Sequence, residues 1–298
     1  MSIKQAEWMM LFVTFSWSSS YLLMKIALEG VDPFNLMALR FAIAFVCVVA
    51  IFYKSFKICT KRTLFKAFIM GFSIYAAIFG TITGLKHTTA STAAFLGTTT
   101  VVLVPILESI WLRKLPQKLT ILSVGLAFVG LVLFTVKDGL SLDIGALYCL
   151  WGAFLYAVNI IIVGKFAKEK DTFVSSLLQF AVVAVLSTIS SFIFETPRLP
   201  QTSAQWWAVI ALALVCSAFC FVMQSVVQRY LEPAKIGLIF STEPVFAAIL
   251  AYFFLGETMD LQGILGATLI MVAVVLKNII NKARYFQIKY KKRDWVKQ

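Results

Sequence analysis

The stretch Pro233–Glu257, PAKIGLIFSTEPVFAAILAYFFLGE, is a run of apolar residues with one polar interruption, at Ser241, Thr242 and Glu243. About 20 apolar residues are enough for an α-helix to cross the roughly 30 Å hydrocarbon core of a bilayer. A carboxyl group in the middle of such a helix is costly unless it faces the protein interior or a water-filled cavity. The stretch therefore predicts a membrane-spanning helix whose acid, followed by Pro244, has a functional or a structural task.

An earlier apolar run, Ala90–Lys114, repeats this arrangement 143 positions earlier, with Thr98, Thr99 and Thr100 at the interruption. Two polar interruptions at matching places in two chain halves indicate a transport site near the bilayer midplane. Three successive threonines point in different directions around a helix, so at least one of them is expected to face the interior. The alternative is that the hydroxyls bond to carbonyl oxygens of their own helix.

The composition extends the membrane prediction to the whole chain. Of the 298 residues, 60% are hydrophobic and only 14% are charged, whereas a soluble domain has about 25% charged residues. The net charge of +13 comes from short loops and the C-terminal tail, which is typical of cytoplasmic loops and argues against nucleic-acid binding. Most of the five cysteines lie in apolar runs, and the chain has one histidine. These residues predict neither a disulfide framework nor a metal site, and no cofactor is expected.

Ten membrane-spanning helices are predicted from apolar runs that short loops separate. They cover residues 6–28, 33–53, 64–85, 91–112, 116–136, 143–165, 172–194, 204–228, 234–255 and 260–280. With the N-terminus inside, the cytoplasmic segments hold 22 Lys and Arg residues and the outer segments hold four. Both termini are therefore predicted to be cytoplasmic. Candidate helix N-caps are Asp32, Asp143, Ser203 and Asp260.

Ten helices with both termini on one side divide into two repeats of five, residues 1–138 and 139–281. Each repeat has an odd number of spans, so the second enters the membrane from the opposite side. The Asp-Pro-Phe at 32–34 aligns with the Asp-Thr-Phe at 171–173, which supports this division. The predicted fold class is an all-α integral membrane protein with ten transmembrane helices in two inverted five-helix repeats. Residues 282–298 form a basic cytoplasmic tail that suits an anionic inner leaflet.

The chain resembles the drug/metabolite transporter superfamily, and within it the ten-helix transporters made of two EamA-type repeats. The resemblance runs from Glu7 to Ile280 and rests on Trp17, Lys25, Arg40 and the pattern Pro233…Glu243-Pro244…Gly256-Glu257. The first repeat departs from this pattern, with Arg113-Lys114 where the second has Gly256-Glu257. The resemblance implies a secondary transporter of small organic molecules, often an exporter of amino acids or other metabolites.

The candidate substrate path consists of polar and aromatic residues near the membrane centre. Residues 16–21 of the first helix read Ser-Trp-Ser-Ser-Ser-Tyr, whose hydroxyls would bond a polar solute and whose rings would stack on it. The alternative is helix packing, since serine lets helices approach closely and bonds to its own backbone. The repeat alignment matches Trp17 with Tyr156, one turn before Asn159. The predicted path is lined by Trp17, Ser20, Tyr21, Thr98, Thr99, Tyr156, Asn159, Gln224, Ser241 and Thr242.

Two charged residues within the spans are assigned separately. Arg40 is expected to be a structural charge that pairs with a carboxylate or reaches the interface, with binding of an anionic substrate group as the alternative. Glu243 and Pro244 are predicted to serve coupling or gating. Counted from Ala234, Glu243 lies about 13 Å deep, where loss of hydration favours a protonated carboxyl group. The alternative is an acid that pins its helix to a neighbour.

The sequence predicts a secondary transporter that moves a small organic metabolite across the plasma membrane by alternating access, in the direction of export. A passive, channel-like facilitator is the alternative, although the polar residues cluster near mid-depth instead of following a whole pore. An enzyme is not predicted, because no histidine cluster, phosphate loop or Gly-x-Ser-x-Gly is present. The expected partners are a small-molecule substrate and the lipid bilayer, without nucleic acid, and the protein is either a monomer or an oligomer.

Overall fold

The computed structural model describes residues 2–111, 118–135, 143–166, 169, 171–227, 230–231, 239, 242–273 and 275–276. The regular structure of these residues is helical throughout. The helices are α1 (Ile3–Leu28), α2 (Pro33–Phe52), α3 (Lys61–His87), α4 (Ala90–Thr98), α5 (Thr100–Trp111), α6 (Lys118–Thr135), α7 (Ile144–Phe166), α8 (Thr172–Phe194), α9 (Ser203–Ala211), α10 (Cys220–Val227), α11 (Glu243–Leu255) and α12 (Leu261–Ala273). A 3₁₀ turn, Tyr53–Ile58, follows α2, and a π-helical segment, Leu212–Phe219, joins α9 to α10.

Six of these helices are long and apolar enough to cross a bilayer: α1, α2, α3, α7, α8 and the continuous helix Ser203–Gln224. Shorter apolar helices occur at Ala90–Val104, Ile121–Gly130, Glu243–Leu255 and Leu261–Ala273. The predicted all-α integral membrane fold is therefore confirmed. Parts of the predicted fifth, ninth and tenth spans, and the tail 282–298, lie outside the described residues.

Of the four candidate N-caps, two form cap hydrogen bonds, one is shifted by a residue, and Asp32 stands at the cap position of α2 but its carboxylate pairs with Lys86 (2.7 Å) instead of capping. The carboxylate of Asp143 accepts from the amide of Gly145 (2.9 Å), and that of Asp260 from the amide of Gly263 (2.7 Å), as N-caps do. The cap of α9 is Thr202 and not Ser203, because Thr202 forms a reciprocal capping box with Gln205.

The long helices α3 and α7 pack closely because glycines face each other. A Cβ on Gly80 would lie 2.8 Å from the backbone nitrogen of Gly152, and one on Gly84 would lie 2.5 Å from the Sγ of Cys149. Small residues allow such backbone approach in membranes, where dispersion and hydrogen bonding hold helices together. This contact therefore fixes α7 against α3 and defines one wall of the bundle.

The helices α2 and α8 pack antiparallel at the middle of the described bundle. The carboxylate of Glu195, next to the end of α8, accepts from the amides of Phe34 and Asn35 at the start of α2 (2.9 and 3.0 Å). Half-way along, the rings of Phe41 and Phe180 lie 5.8 Å apart. These two phenylalanines are equivalent in the alignment that matches 32–34 with 171–173. Contact between equivalent residues is expected near a pseudo-two-fold axis, which supports the inverted-repeat prediction.

Candidate transport site

The ninth predicted helix has a turn where its polar interruption lies. Thr242 precedes the described helix α11, Glu243 is its first residue and Pro244 its second. The amide and the hydroxyl of Thr242 both donate to the carbonyl of Ile239, at 3.1 and 2.7 Å. Proline is tolerated here because the first amides of a helix have no intrahelical acceptor. The positive end of the helix dipole also favours an acid at this place. Ser241 lies outside the described residues.

Helix α1 lies directly against this turn. The hydroxyl of Ser18 donates to the carbonyl oxygen of Glu243 (2.8 Å), and the phenol of Tyr21 lies close enough to the Glu243 carboxyl group to interact with it electrostatically. Tyr21 is buried whereas Glu243 is partly exposed. A Cβ on Gly97 of α4 would lie only 2.9 Å from the Tyr21 hydroxyl. The acid is therefore located where α1, α4 and α11 meet.

All four serines of α1 donate to carbonyl oxygens of their own helix, and Ser18 donates to a carbonyl oxygen of α11 as well. Ser16, Ser19 and Ser20 donate to carbonyl oxygens of their own helix at 2.8, 2.8 and 2.6 Å. Only Ser18 among them reaches α11 in the described part of the chain. For Ser20 the structure thus shows the packing alternative, and Ser18, which the sequence did not single out from its neighbours, makes the contact with α11.

Trp17, the residue before Ser18, is held by the π-helical segment. Its indole N–H donates to the carbonyl of Cys216 (2.9 Å), and its ring lies 5.5 Å from that of Phe221. A π-helical turn bonds i to i+5 and changes which carbonyls are free, and such turns occur frequently at functional sites. The thiol of Cys216 also donates to the carbonyl of Ser16 (3.2 Å). Trp17 remains partly exposed.

The threonine interruption of the first half divides the predicted fourth helix into α4 and α5. Thr98 donates to Ala94 O (2.8 Å) and Thr99 to Leu96 O (2.5 Å), both within their own helix. Thr100, which was not among the predicted path residues, donates instead to the carbonyl of Ala153 on α7 (3.1 Å). All three side chains are buried. The hydroxyls are therefore bonded within the protein, and the interruption ties α5 to α7.

The remaining candidates of the second half are distributed over two helices. Tyr156 of α7 is partly exposed and lies within electrostatic range of Glu243. Asn159 is buried, and its amide donates to the Ser73 hydroxyl (2.7 Å) and the Met70 carbonyl (3.2 Å) of α3. Gln224 of α10 is partly exposed. Tyr156 thus belongs to the electrostatic surroundings of the acid, whereas the side-chain amide of Asn159 is engaged in holding α3 to α7.

Arg40 has a different environment from the one predicted. Its side chain is 5% exposed, and its Nε donates to the Ser217 hydroxyl (2.7 Å). One Nη lies 3.5 Å from the Met24 sulfur, and the guanidinium lies 5.3 Å from the centre of the Phe41 ring. Within the described residues it has no carboxylate partner at ion-pair distance. Its burial also means that it does not reach the interface.

Acidic residues at the helix ends form contacts that the sequence did not predict. The left-handed Gly256 (φ 65°) ends α11, and the next residue, Glu257, accepts from the first two amides of α4 at 2.9 and 3.2 Å. At the other end of the bundle, the buried Lys66 lies between Glu169 and Asp171, at 2.7 and 2.6 Å. The acid of Gly256-Glu257 is thus a helix cap. Its counterpart in the first repeat, Arg113-Lys114, lies outside the described residues.

Comparison with protein families gives a match over almost the whole chain. The model of the EamA-like transporter family matches twice, at residues 4–136 and 143–279. The chain belongs to the EamA-like transporter family. It is accordingly a transporter and a multi-pass membrane protein, in agreement with the resemblance that the sequence shows.

Curated transporters and a solved structure are similar to the chain along most of its length. An uncharacterized transporter of Archaeoglobus fulgidus is 27% identical over 269 residues, which cover 90% of this chain and 83% of the relative. The uncharacterized transporter YetK of Bacillus subtilis is 25% identical over 281 residues, covering 89% and 84%. A solved crystal structure superposes with a TM-score of 0.67 at 17% identity, covering 94% of this EamA-like transporter and 98% of the other chain. That likeness concerns the fold.

Proposed function

We propose that this EamA-like transporter is a secondary carrier that exports a small organic metabolite, an amino acid, a related metabolite or a drug, across the plasma membrane. The observation that carries the proposal is the carboxyl group of Glu243. It stands at the start of a short helix, beside the Tyr21 phenol, where α1, α4 and α11 meet. Short or interrupted helices whose ends meet inside a bundle are typical of substrate and ion sites in transporters.

Transport proceeds by alternating access, in which one set of helices moves relative to the other around a central site. Glu243 takes up and releases a proton as its surroundings change between access to either side, because desolvation favours the neutral form and hydration the charged form. Glu243 and Pro244 therefore act in coupling or gating. Trp17, Tyr21 and Tyr156 line the path beside them and provide surfaces for a solute with an apolar part.

A carrier fits the arrangement better than a passive channel. Each interruption has a hydrogen bond to a neighbouring helix: Thr100 bonds to α7, and the Glu243 backbone accepts from Ser18 of α1. A channel needs polar groups that stay free along a pore. Contacts that hold two helices together at mid-depth can instead break and form again as a carrier alternates between its two states.

Purified protein in liposomes tests the proposal. A panel of amino acids and cationic drugs is presented with and without the same solute inside. Saturable uptake that internal solute accelerates is expected of a carrier, since an occupied site returns faster than an empty one. Flux that rises in proportion to concentration, without counterflow, would establish the facilitator instead, and no flux of any solute would reject both.

The orientation is tested separately. Both termini are proposed to be cytoplasmic, as the charge distribution predicts. Single cysteines replacing Lys137 and Asp260 in a cysteine-free variant should react with an impermeant thiol reagent added to intact cells, and one replacing Arg62 should not. Labelling at Arg62 equal to that at the other two positions would reverse the assignment.

A further inference from the structure

Arg40 is a buried charge whose ordinary partner is missing from the described structure. The four ion pairs of the described residues join Arg62, Lys66 and Lys86 to acids at helix ends. Arg40 is 5% exposed, and its described neighbours are uncharged: the Ser217 hydroxyl, the Met24 sulfur and the Phe41 ring, with the Tyr21 phenol and the thiols of Cys216 and Cys220 within electrostatic range. A guanidinium has five N–H donors. A charge buried in a membrane protein normally has a partner or borders the path of a charged solute.

Arg40 and Trp17 are connected by a closed series of side-chain contacts. We call the residues of this series the arginine–aromatic ring. Its members are Trp17, Arg40, Phe41, Phe180, Ser217 and Phe221. Arg40 lies over the Phe41 ring at 5.3 Å, and the successive ring distances Phe41–Phe180, Phe180–Phe221 and Phe221–Trp17 are 5.8, 5.6 and 5.5 Å. The arginine–aromatic ring thus connects α1, α2, α8 and α10.

The π-helical segment closes this ring. Cys216 accepts from the Trp17 indole (2.9 Å), and the next residue, Ser217, accepts from Arg40 Nε (2.7 Å). Two adjacent residues of an unusual backbone segment therefore hold the aromatic residue and the cation together. Donation from Nε to Ser217 leaves N–H groups of both terminal nitrogens available. The guanidinium is oriented by the protein, and no described carboxylate lies at ion-pair distance from it.

The repeat alignment indicates that the fold itself does not need a cation here. The position equivalent to Arg40 is Gln179 of α8, which is also buried. The next residues, Phe41 and Phe180, are identical in type and contact each other. The second repeat therefore has a neutral amide at this position. The charge is found in the first repeat, which also contains Trp17.

We infer that Arg40 binds the carboxylate group of the transported solute, whose apolar part packs against Trp17 and the phenylalanines of the arginine–aromatic ring. A guanidinium recognises a carboxylate through two parallel N–H···O bonds, and the oriented fork loses less entropy than a flexible ammonium does. The inference rests on the proposed function, since it names the solute class for the same path. Among the proposed solutes it selects those that carry a carboxylate and disfavours purely cationic drugs.

The test measures the unfolding temperature of the purified, full-length protein with the twenty amino acids, their N-acetyl derivatives and their methyl esters. Ligands that bind the folded state raise this temperature with concentration. At least one acid is expected to stabilise the wild type saturably, while its methyl ester, which retains the side chain, does not. In Arg40→Gln the half-saturating concentration of that acid should rise about tenfold or more. The matched control Arg62→Gln, at an exposed arginine, should leave it unchanged.

Arg40→Lys keeps the positive charge but not the two-pronged geometry, so it should bind the acid more weakly than the wild type and more tightly than Arg40→Gln. This variant also decides the question if Arg40→Gln does not fold. Equal stabilisation by acid and ester, no stabilisation by any member of the panel, or unchanged binding in Arg40→Lys would each overturn the inference.

The liposome experiment separates this result from the proposed function. If counterflow occurs equally for acids and for their esters, the protein is a carrier but Arg40 does not select a carboxylate. If acids bind in an Arg40-dependent manner but no solute is transported, the carrier proposal fails and the binding site stands.

Discussion

The polar interruptions of the two halves occupy matching places in the sequence but make different kinds of contact. In the first half, Thr98 and Thr99 bond to their own helix, and Thr100 bonds to a backbone carbonyl of α7. In the second, Glu243 begins α11, with its backbone bonded to Ser18 and its carboxyl group beside Tyr21. One interruption is closed by neutral hydroxyls, and the other contains an ionisable group that remains partly exposed.

This difference gives the two related halves separate tasks. A threonine hydroxyl that bonds to a nearby carbonyl needs nothing from water or solute, so it suits a fixed joint between helices. A carboxyl group changes its preferred protonation state with hydration. Only the second interruption can therefore respond chemically when access to the site changes sides.

The largest expected effect follows from Glu243→Gln, which keeps the shape but cannot ionise. If the second interruption is the coupling element, concentrative transport by the variant should fall by an order of magnitude or more, as expected when a positioned acid–base group is removed. The transport that remains should no longer depend on pH. The measurement is uptake against a gradient in proteoliposomes at several pH values, normalised to folded protein.

Glu257→Gln is the matched control for that change, because Glu257 accepts from the first two amides of α4 as a helix cap. It should reduce stability while preserving the pH profile. A Glu243→Gln protein that still concentrates solute with the wild-type pH dependence would assign Glu243 to the scaffold and make the two interruptions equivalent.

Trp17→Ala should have the next largest effect, because it removes a path surface beside the second interruption. An aromatic contact and a neutral hydrogen bond are together worth about 1–3 kcal/mol, so transport is expected to fall by about fivefold to 150-fold. Trp151→Ala is the control, since Trp151 is 56% exposed on α7. Equal losses of transport and of folded protein in Trp17→Ala would mean that Trp17 serves packing.

The helices and the places of their interruptions were predictable because hydropathy acts over many residues at once. Apolar runs located the spans, and polar residues within them located the turn before Glu243 and the division of the fourth helix at Thr99. Asp143 and Asp260 were predictable as caps because capping is local. Each of these features depends on residues close together in the chain.

Contacts between distant segments were not predictable from the same information. Ser18 and Ser20 are chemically identical, and only the packing of α1 decides that Ser18 faces α11. The Asn159 amide bonds to α3 because the glycines of α3 bring α7 so close. The pairing of Arg40 with Ser217 depends on a π-helical segment for which the apolar sequence has no recognisable signal.

A smaller effect, on the stability of the protein, is expected at the ends of the equivalent helices α2 and α8. Two acids there make contributions to stability that change in opposite directions with pH. The hydrogen bond from Lys66 lowers the pKa of Asp171, whereas burial raises the pKa of Glu195 although two backbone amides of α2 donate to it. Asp171 therefore contributes stability above its unfolded pKa of about 4, and this contribution is lost as the pH falls through the lowered value. Glu195 has the opposite effect, because its protonation increases the stability of the folded protein as the pH falls.

Unfolding temperatures in detergent between pH 3 and 8, taken on Asp171→Asn and Glu195→Gln, measure this difference. The deficit of Asp171→Asn should be full at neutral pH and shrink below about pH 4. Wild type should instead gain on Glu195→Gln as the pH falls through the raised pKa of Glu195. The same sign of pH dependence for both variants would contradict the assignment of different electrostatic surroundings to the two helix ends.

The smallest expected effect compares two threonines within the first interruption. Thr100→Val keeps the branched shape but removes the hydroxyl that donates to Ala153 O between α5 and α7. Interhelical hydrogen bonds in membranes are worth about 0.6 kcal/mol on average and up to about 1.7, so the free energy of unfolding should fall within that range. Thr98→Val removes a bond within α4 and should change it by less than about 0.5 kcal/mol. Unfolding in a denaturing detergent measures both, and because neither hydroxyl carries charge, transport per folded molecule should be unchanged in both variants. A loss of transport in Thr100→Val at normal stability would show that the first interruption also takes part in the transport cycle, and would remove the contrast between the two halves.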